Sequence, residues 1–378
     1  MSNKAENRNG EPMTMLDPCD VARRACEIAG AELRFGRPVV LVGEQNYAAL
    51  ALDTATSGDF DRFAQVTGGK HMLFLTAERS HALGLARPKG VLVPLAGVSH
   101  AAACELGYRM KSPVPTNFED APEELAALTA LSSIALLLPA LVVARIEPDE
   151  PAFAGVTRIT AREIAVSGEA ESRYEMMART EVPLRDVDKA EFVVFRGGLS
   201  QRDQVAIVVG DPDVERSVPI RIHSSCITGD LFGSLKCDCG DQLREGLRLI
   251  QARGGGVLIY LDQEGRGTGI GAKMMAYGYQ AHGLDTIDAD ETLGFGPDLR
   301  RYGAAVAMLK ALGIAKVELL TNNPTKAAFL ENAGISVTRR TSVLGEVTNE
   351  NQAYLTTKAM RAGHQLDVRA IAQALVAK

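Results

Sequence analysis

The stretch Gly254-Gly255-Gly256-Val257-Leu258-Ile259-Tyr260-Leu261-Asp262-Gln263-Glu264-Gly265-Arg266-Gly267-Thr268-Gly269 decides the fold class. Its apolar run from Val257 to Leu261, bounded by glycines and turn residues, reads as a strand buried on both faces. Directly after it, Gly265, Gly267 and Gly269 form a turn whose backbone N–H groups can approach an anion, at the N-terminus of a following helix. Glycine turns of this kind are as common without a ligand. Upstream, residues 241–252 place Leu243, Leu247 and Ile250 on one helical face, and 204–209 and 218–223 read as strands. Downstream, a helix is expected over 298–312, with Leu299, Tyr302, Val306 and Leu309 three or four apart and Gly313 at its end. Strand, helix and strand follow at 317–320, 325–332 and 335–338. Strands alternating with amphipathic helices predict a mixed α/β (α+β) domain over 181–345, a mixed sheet with flanking helices.

At about 100–200 residues per domain, a chain of 378 residues makes two domains. Residues 1–150 are Ala- and Leu-rich, with an amphipathic helix near 21–33 and strands at 39–42 and 72–75. Residues 151–180 read as a connector, helical and charged from Ala161 to Arg179, and 346–378 as a C-terminal tail with a helix. Residues 125–144 carry no charge and are long enough to span a bilayer. Thr129, Ser132, Ser133 and Pro139 interrupt them, so a buried helix to about Leu137, a break at Pro139 and a strand at 141–143 are expected instead. No secretory-type apolar run opens the sequence, and a cytoplasmic protein with no membrane partner is expected. With 41 basic and 47 acidic side chains the net charge is -6, which argues against nucleic acid as a partner. A local basic pocket for a phosphorylated small molecule stays compatible with that charge.

Three of six cysteines crowd together, Cys226, Cys237 and Cys239. Clustered thiols in a cytosolic chain point to metal more often than to a disulfide, and three thiolates leave one position open on a catalytic zinc. Three ordinary buried cysteines, or a four-ligand site that adds His223, fit the same spacing. Pro297-Asp298-Leu299-Arg300 suits plain helix capping when read alone. Thr321-Asn322-Asn323-Pro324-Thr325-Lys326 puts a hydroxyl and an ammonium at a strand-to-helix turn, where α/β folds often bind phosphate; a capped turn explains it equally well.

Taken together these segments are far more specific. Arg221-Ile222-His223-Ser224-Ser225-Cys226-Ile227-Thr228-Gly229-Asp230, followed by Ser234-Leu235-Lys236-Cys237-Asp238-Cys239, resembles the zinc signature of GTP cyclohydrolase II. Tyr260 to Gly267, Gly283-Leu284-Asp285-Thr286, Leu293-Gly294-Phe295 and Leu320-Thr321-Asn322-Asn323-Pro324 continue the resemblance in order. It implies an enzyme that opens the imidazole ring of GTP in the first step of riboflavin synthesis, releasing formate and pyrophosphate. It also implies one Zn(2+) per chain on Cys226, Cys237 and Cys239, activating a water, and Mg(2+) with the pyrophosphate. GTP contacts fall on Arg221, Ile222, His223, Ser224, Ser225, Gln242, Glu264, Gly265, Arg266, Thr286, Thr321 and Lys326. Asp298 takes the place of the proposed proton acceptor, Arg300 that of the proposed nucleophile on the α-phosphate, and Tyr277 that of a tyrosine near the water. Since guanidinium stays protonated, Arg300 is better suited to stabilise phosphoryl charge. The family suggests a homodimer.

Ser225 departs from the family's usual Glu, Asp262 from a common basic residue, Met275 from Arg and Gly278 from a bulkier residue. Two lost positive charges and one gained carboxylate are expected to weaken a polyanion site. A non-catalytic zinc-stabilised nucleotide-binding regulator, or a cyclohydrolase with altered nucleotide preference, is therefore the alternative. Ala31 to Pro38, running into the strand at 39–42, resembles the entry to a 3,4-dihydroxy-2-butanone 4-phosphate synthase domain. Where that family carries magnesium-binding acidic residues, this chain has Gly43-Glu44-Gln45-Asn46-Tyr47-Ala48-Ala49-Leu50. The N-terminal domain is expected to be a degenerate relative without that chemistry.

Overall fold

The computed structural model describes residues 18–169, 173–199, 202–296, 299–361 and 363. The first half builds α1 (Pro18–Arg34), β1 (Val39–Val42), β2 (Asn46–Ala51), α2 (Ser57–Val66), β3 (Met72–Leu75), α3 (Ala77–Ala82) and β4 (Val91–Pro94). It continues with α4 (His100–Tyr108), β5 (Glu119–Asp120), α5 (Ala126–Ala135), β6 (Leu141–Ile146), β7 (Arg158–Thr160) and α6 (Ala161–Glu169). The second half runs β8 (Tyr174–Glu181), β9 (Ala190–Gly197), β10 (Arg202–Gly210), β11 (Val218–Ser224), α7 (Cys239–Ala252), β12 (Gly255–Leu261) and α8 (Gly269–Gln280). Then come α9 (Thr286–Thr292), α10 (Gly303–Ala311), β13 (Lys316–Leu320), α11 (Pro324–Asn332), β14 (Ser336–Thr341) and α12 (Gln352–Met360).

Among the described residues the strands form two seven-stranded sheets, ordered β5-β4-β3-β6-β2-β1-β7 and β14-β13-β11-β12-β10-β9-β8. The second is mixed: β11 lies parallel to β12 and β13, while β10 lies antiparallel to β12 and β9. β12 is buried along nearly its whole length, as its apolar run demands. The glycine triplet before it answers a close approach, since a Cβ at Gly256 would stand 2.1 Å from the Pro219 carbonyl oxygen. The uncharged stretch over 125–144 divides as expected. α5 ends at Leu136 in a left-handed turn (φ 58), and β6 follows Pro139. No helix among the described residues is long and apolar enough to cross a membrane.

Two expectations are corrected. The helical connector over 161–179 is helical only through α6, which packs on α1; residues from Tyr174 onward are the edge strand β8, paired with β9. An edge strand exposed on both faces has no apolar alternation to betray it, and its charges pair across the ladder instead, Arg179 with Glu191 at 2.6 Å. The helix expected over 298–312 begins only at Gly303, as α10. Residues 299–302 are held off the helix by the glycine turn: a Cβ at Gly267 would meet the Leu299 carbonyl at 3.2 Å, and Gln263 donates to the Arg301 carbonyl. Pro297 and Asp298 lie outside the described residues.

The two halves share a core. Ala272 and Ala276 of α8, Ala289 of α9, and Leu293 and Phe295 just beyond it pack in one buried cluster with Leu52, Leu75 and Ala140. Polar ties cross the same seam. Arg79 donates across it to the Thr292 carbonyl at 2.9 Å, and is held within its own half by the carbonyls of Leu106 and Arg109, also at 2.9 Å. Thr76 donates to Gly294 at 2.9 Å, and Tyr279 to Tyr108 at 2.7 Å. The first sheet thereby buttresses α8, the helix that carries Lys273 and Tyr277.

Candidate functional site

Cys226 follows the C-terminal end of β11, Cys237 sits in the following loop, and Cys239 is the first residue of α7. Parallel strands of the second sheet end here, the edge at which open α/β sheets place ligands. All three Sγ atoms lie within 4.8 Å of one another, and Cys226 and Cys237 approach to 3.6 Å. Sulfur–zinc bonds of about 2.3 Å in a tetrahedral site put sulfurs about 3.8 Å apart. The donor set and spacing therefore fit a soft divalent metal, and the trio can hold one. No side chain fits inside the loop: a Cβ at Gly229 would lie 2.9 Å from Cys237 Sγ and 3.1 Å from Cys226 Sγ. Hydrogen bonds from Cys237 and then Cys239 hold the Cys226 thiol far below its ordinary pKa, while the same bonds push the other two up.

His223 is not brought to the thiols as a fourth ligand. Its Nε2 meets both carboxylate oxygens of Asp230 at 3.1 Å, and its ring stacks on Tyr260 at 5.6 Å. Burial holds its pKa below the usual histidine value. Asp230 also accepts from Tyr260 Oη and from the Cys226 backbone, both at 2.9 Å, and so fixes where β11 delivers its cysteine.

Two cavities meet at the cysteines. The smaller, about 100 Å³, is walled by all three of them with Ser225, Glu264, Gly265, Tyr277 and Thr286. The larger, about 400 Å³, is lined by Arg221, Ile222, His223, Gln242, Thr321 and Lys326. Ser224, Cys239, Arg266, Arg300 and Tyr354 line both. Every described residue expected from the sequence to contact nucleotide therefore borders one cavity or the other. Ile222 is itself a core residue and enters through its carbonyl, which accepts from Lys326 Nζ at 2.7 Å. Arg221, Arg266, Arg300, Lys326, Lys358 and Arg361 line the larger cavity, and no carboxylate is among its described lining residues. Burial lowers the Arg221 pKa to about 10, which leaves it charged at neutral pH. Glu264 and Arg266 occupy the glycine turn, where Gly265 (φ 62) and Arg266 (φ 61) are both left-handed. That conformation is costly for an arginine and is held by its ion pair with Asp290 at 3.2 Å.

Sequence reasoning missed Lys273, Tyr354 and Lys358. Lys273 Nζ reaches Cys226 Sγ at 3.1 Å, Thr228 Oγ1 at 3.0 Å and Glu264 at 2.7 Å. Burial works against its charge, but the bond to Glu264 and the neighbouring thiolate outweigh it and raise its pKa. Lys273 and Lys236 both lie over the ring of Tyr277, at 5.6 and 5.1 Å from its centroid. Burial pushes the Tyr277 phenol up, so it stays protonated. Lys273 follows the glycine turn by one helical turn, a spacing that was readable; α12 carries no such signal.

The departures from the family pattern fall mostly elsewhere. Met275 packs against the shared core, Gly278 is exposed with open space around it, and Asp262 lines a cavity beside α5. Only Ser225 borders the cysteines, and its hydroxyl accepts from the Gln263 backbone at 3.1 Å. The expected loss of positive potential is not seen in the larger cavity, because neither Met275 nor Asp262 faces it.

Comparison with known proteins follows the same lines. Residues 175–342 match the family model for GTP cyclohydrolase II. A GTP cyclohydrolase-2 from Xylella fastidiosa (strain 9a5c) is 53% identical over 351 residues, covering 92% of this chain and 88% of its own. Another, from Azospirillum brasilense, is 34% identical over 380 residues, covering 95% of this chain and 98% of its own. A solved two-domain 3,4-dihydroxy-2-butanone 4-phosphate synthase from A. baumannii, RibBX, aligns over 84% of this chain and 99% of its own at TM-score 0.30 and 16% identity.

Proposed function

The chain belongs to the GTP cyclohydrolase II family and is an enzyme, and from that premise we propose that it hydrolytically opens the guanine imidazole ring of GTP. The products are formate, pyrophosphate and 2,5-diamino-6-ribosylamino-pyrimidinone 5'-phosphate, in the first step of riboflavin synthesis. One observation carries the reading: three thiols able to hold a metal share a wall with a cavity lined by six cations and no carboxylate among the described residues. The cationic cavity suits the triphosphate and the thiol cavity suits the base.

Cys226, Cys237 and Cys239 would hold zinc, which supplies a Lewis acid that lowers the pKa of water towards ~7. The chain's own groups do the rest. Arg221, Arg266 and Lys326 neutralise phosphate charge, and Arg300, at the junction of the cavities, stabilises charge developing on the α-phosphate. Tyr277, kept protonated, can donate to an oxygen near the thiols. Asp298, which lies outside the described residues, stands in the place of the family's proposed proton acceptor. Magnesium would come with the nucleotide and neutralise charge on the departing pyrophosphate, since no carboxylate is among the described residues lining the larger cavity. The non-catalytic alternative gives way to relatives named as cyclohydrolases along nearly the whole chain. A homodimer is the assembly we infer, supported by Leu231, Phe232 and Leu235, exposed between the first two cysteines.

The test is incubation of purified protein with GTP, zinc and magnesium. Formate and pyrophosphate in equal amounts, both absent after zinc is chelated, are expected. Turnover undiminished in zinc-free protein would overturn the metal assignment, and no turnover at all would overturn the activity.

A further inference from the structure

Helix α12 lies beyond the residues matched by the family model, yet it closes over the site. Tyr354, Lys358 and Arg361 line the larger cavity, and Tyr354 lines the smaller one as well. The helix is moored at both ends. Asn351 accepts from the Thr348 backbone and donates to the Glu346 carbonyl, both at 2.9 Å, while Arg361 pairs with Asp285 and Asp288 at the start of α9. Between these moorings Lys358 Nζ lies 3.1 Å from Asp238 Oδ1, with the two side chains 12% and 2% exposed. The same ammonium lies 4.2 Å from the centre of the Tyr354 ring.

Asp238 stands between two of the thiols, Cys237 and Cys239. Its second oxygen accepts from Gln242 Nε2 at 2.5 Å. Gln242 Oε1 in turn accepts from Arg221 Nη2 at 2.8 Å, and Arg221 Nη1 reaches the Leu320 carbonyl at 3.3 Å. A buried chain of charge-assisted bonds thus runs from α12 through the cysteine turn to an arginine of the larger cavity. A carboxylate buried beside thiolates is untenable without a cation, and Lys358 is the one that meets it.

Resting on the proposed activity, we propose that Lys358 is a positioning residue: through Asp238 it fixes the Cys237–Cys239 turn for metal and aims Gln242 and Arg221 at the nucleotide. Its close contacts are the Asp238 carboxylate and the Tyr354 ring, so it acts on the cysteine turn through Asp238. Ligands and supports next to a metal site are typically worth 10–100-fold in affinity when lost. Lysine fits the role because its stem crosses apolar ground while its head ends at a single oxygen.

The experiment uses full-length zinc-loaded protein and the variants Lys358→Met, Lys358→Arg and the double variant Lys358→Met/Asp238→Asn. It measures zinc release to a chromophoric chelator, kcat and KM for GTP, and circular dichroism. Lys358→Met is expected to keep the native spectrum, release zinc at least about ten-fold faster and raise KM for GTP. Lys358→Arg should recover most of both. If Lys358→Met does not fold, the double variant removes the unpaired charge and is expected to fold while still releasing zinc fast. Wild-type release and KM in whichever variant folds would overturn the proposal, as would a wild type that holds no zinc. A wild type that holds zinc yet leaves GTP intact would instead overturn the activity, with the zinc-release comparison still deciding the role of Lys358.

Discussion

Gly229 and Cys237 stand so close that a single added methyl decides whether the thiols can meet: a Cβ on the glycine would lie 2.9 Å from the sulfur. Gly229→Ala is therefore expected to spread the trio without touching a ligand. Zinc affinity should fall by at least about ten-fold, as for other residues that shape a metal site from outside its ligand set. Competition with a chelator measures this. Wild-type affinity would mean that the loop moves aside at no cost.

Cys237→Ser should lose both metal and ring opening while the chain remains folded. The remaining sulfurs cannot supply the three soft ligands of a catalytic zinc. Metal analysis alongside circular dichroism separates the outcomes. An unfolded variant would make the metal structural, and active protein without zinc would end the assignment.

Arg300 borders both cavities and lies 6.0 Å from the Tyr302 ring. Arg300→Ala is expected to lower kcat by about 10²–10³ with a smaller loss in GTP binding, because its charge is needed most as charge develops. A raised KM at unchanged kcat would make it a binding residue only.

Residues 1–150 are expected to show no butanone phosphate synthase activity. Tyr47, Ala48, Ala49 and Leu50, in the place of that family's acidic residues, are buried in the middle of β2 and offer magnesium no carboxylate; the Tyr47 hydroxyl is turned to Arg145. Incubation with ribulose 5-phosphate and magnesium should yield neither formate nor the four-carbon phosphate. Deleting the domain should cost solubility, since it uncovers Ala272, Ala276, Leu293 and Phe295. Product formed at enzymatic rates would reverse this view of the N-terminal half.

His71 is buried with its ring edge-on to Phe60, 5.4 Å between centroids, and burial lowers its pKa. The unfolded chain then binds a proton more readily than the folded one. Its contribution to stability is present above the ordinary histidine pKa of about 6.5 and is lost as pH falls below it. Thermal unfolding followed from pH 8 to 5 should show a drop that His71→Phe reduces. An identical pH profile in that variant would clear His71 of the effect.

Most of what was readable in the sequence was local. The run from Val257 to Leu261 announced a buried strand because both faces of β12 are covered, and the cysteine spacing announced the thiol cluster because the short passage from the end of β11 to the first residue of α7 carries all three. Edge strand β8 was hidden, having no buried face to impose a period. The late start of α10 was hidden too, since helical spacing at Leu299 and Tyr302 says nothing of the glycine turn against which those residues lie outside the helix. Lys358 was out of reach for a different reason. Its partner Asp238 precedes it by 120 positions, and no periodicity spans such a gap.

The shared core also sets a clock on biosynthesis. When the ribosome has finished β7, the first sheet has all its strands, but the surface meant for α8, α9 and Phe295 is still bare. At roughly 5–20 residues per second, translation needs on the order of ten seconds more to deliver Phe295. For that interval the nascent chain presents a sticky half-finished face, and chaperone demand should be concentrated there rather than spread over the whole chain.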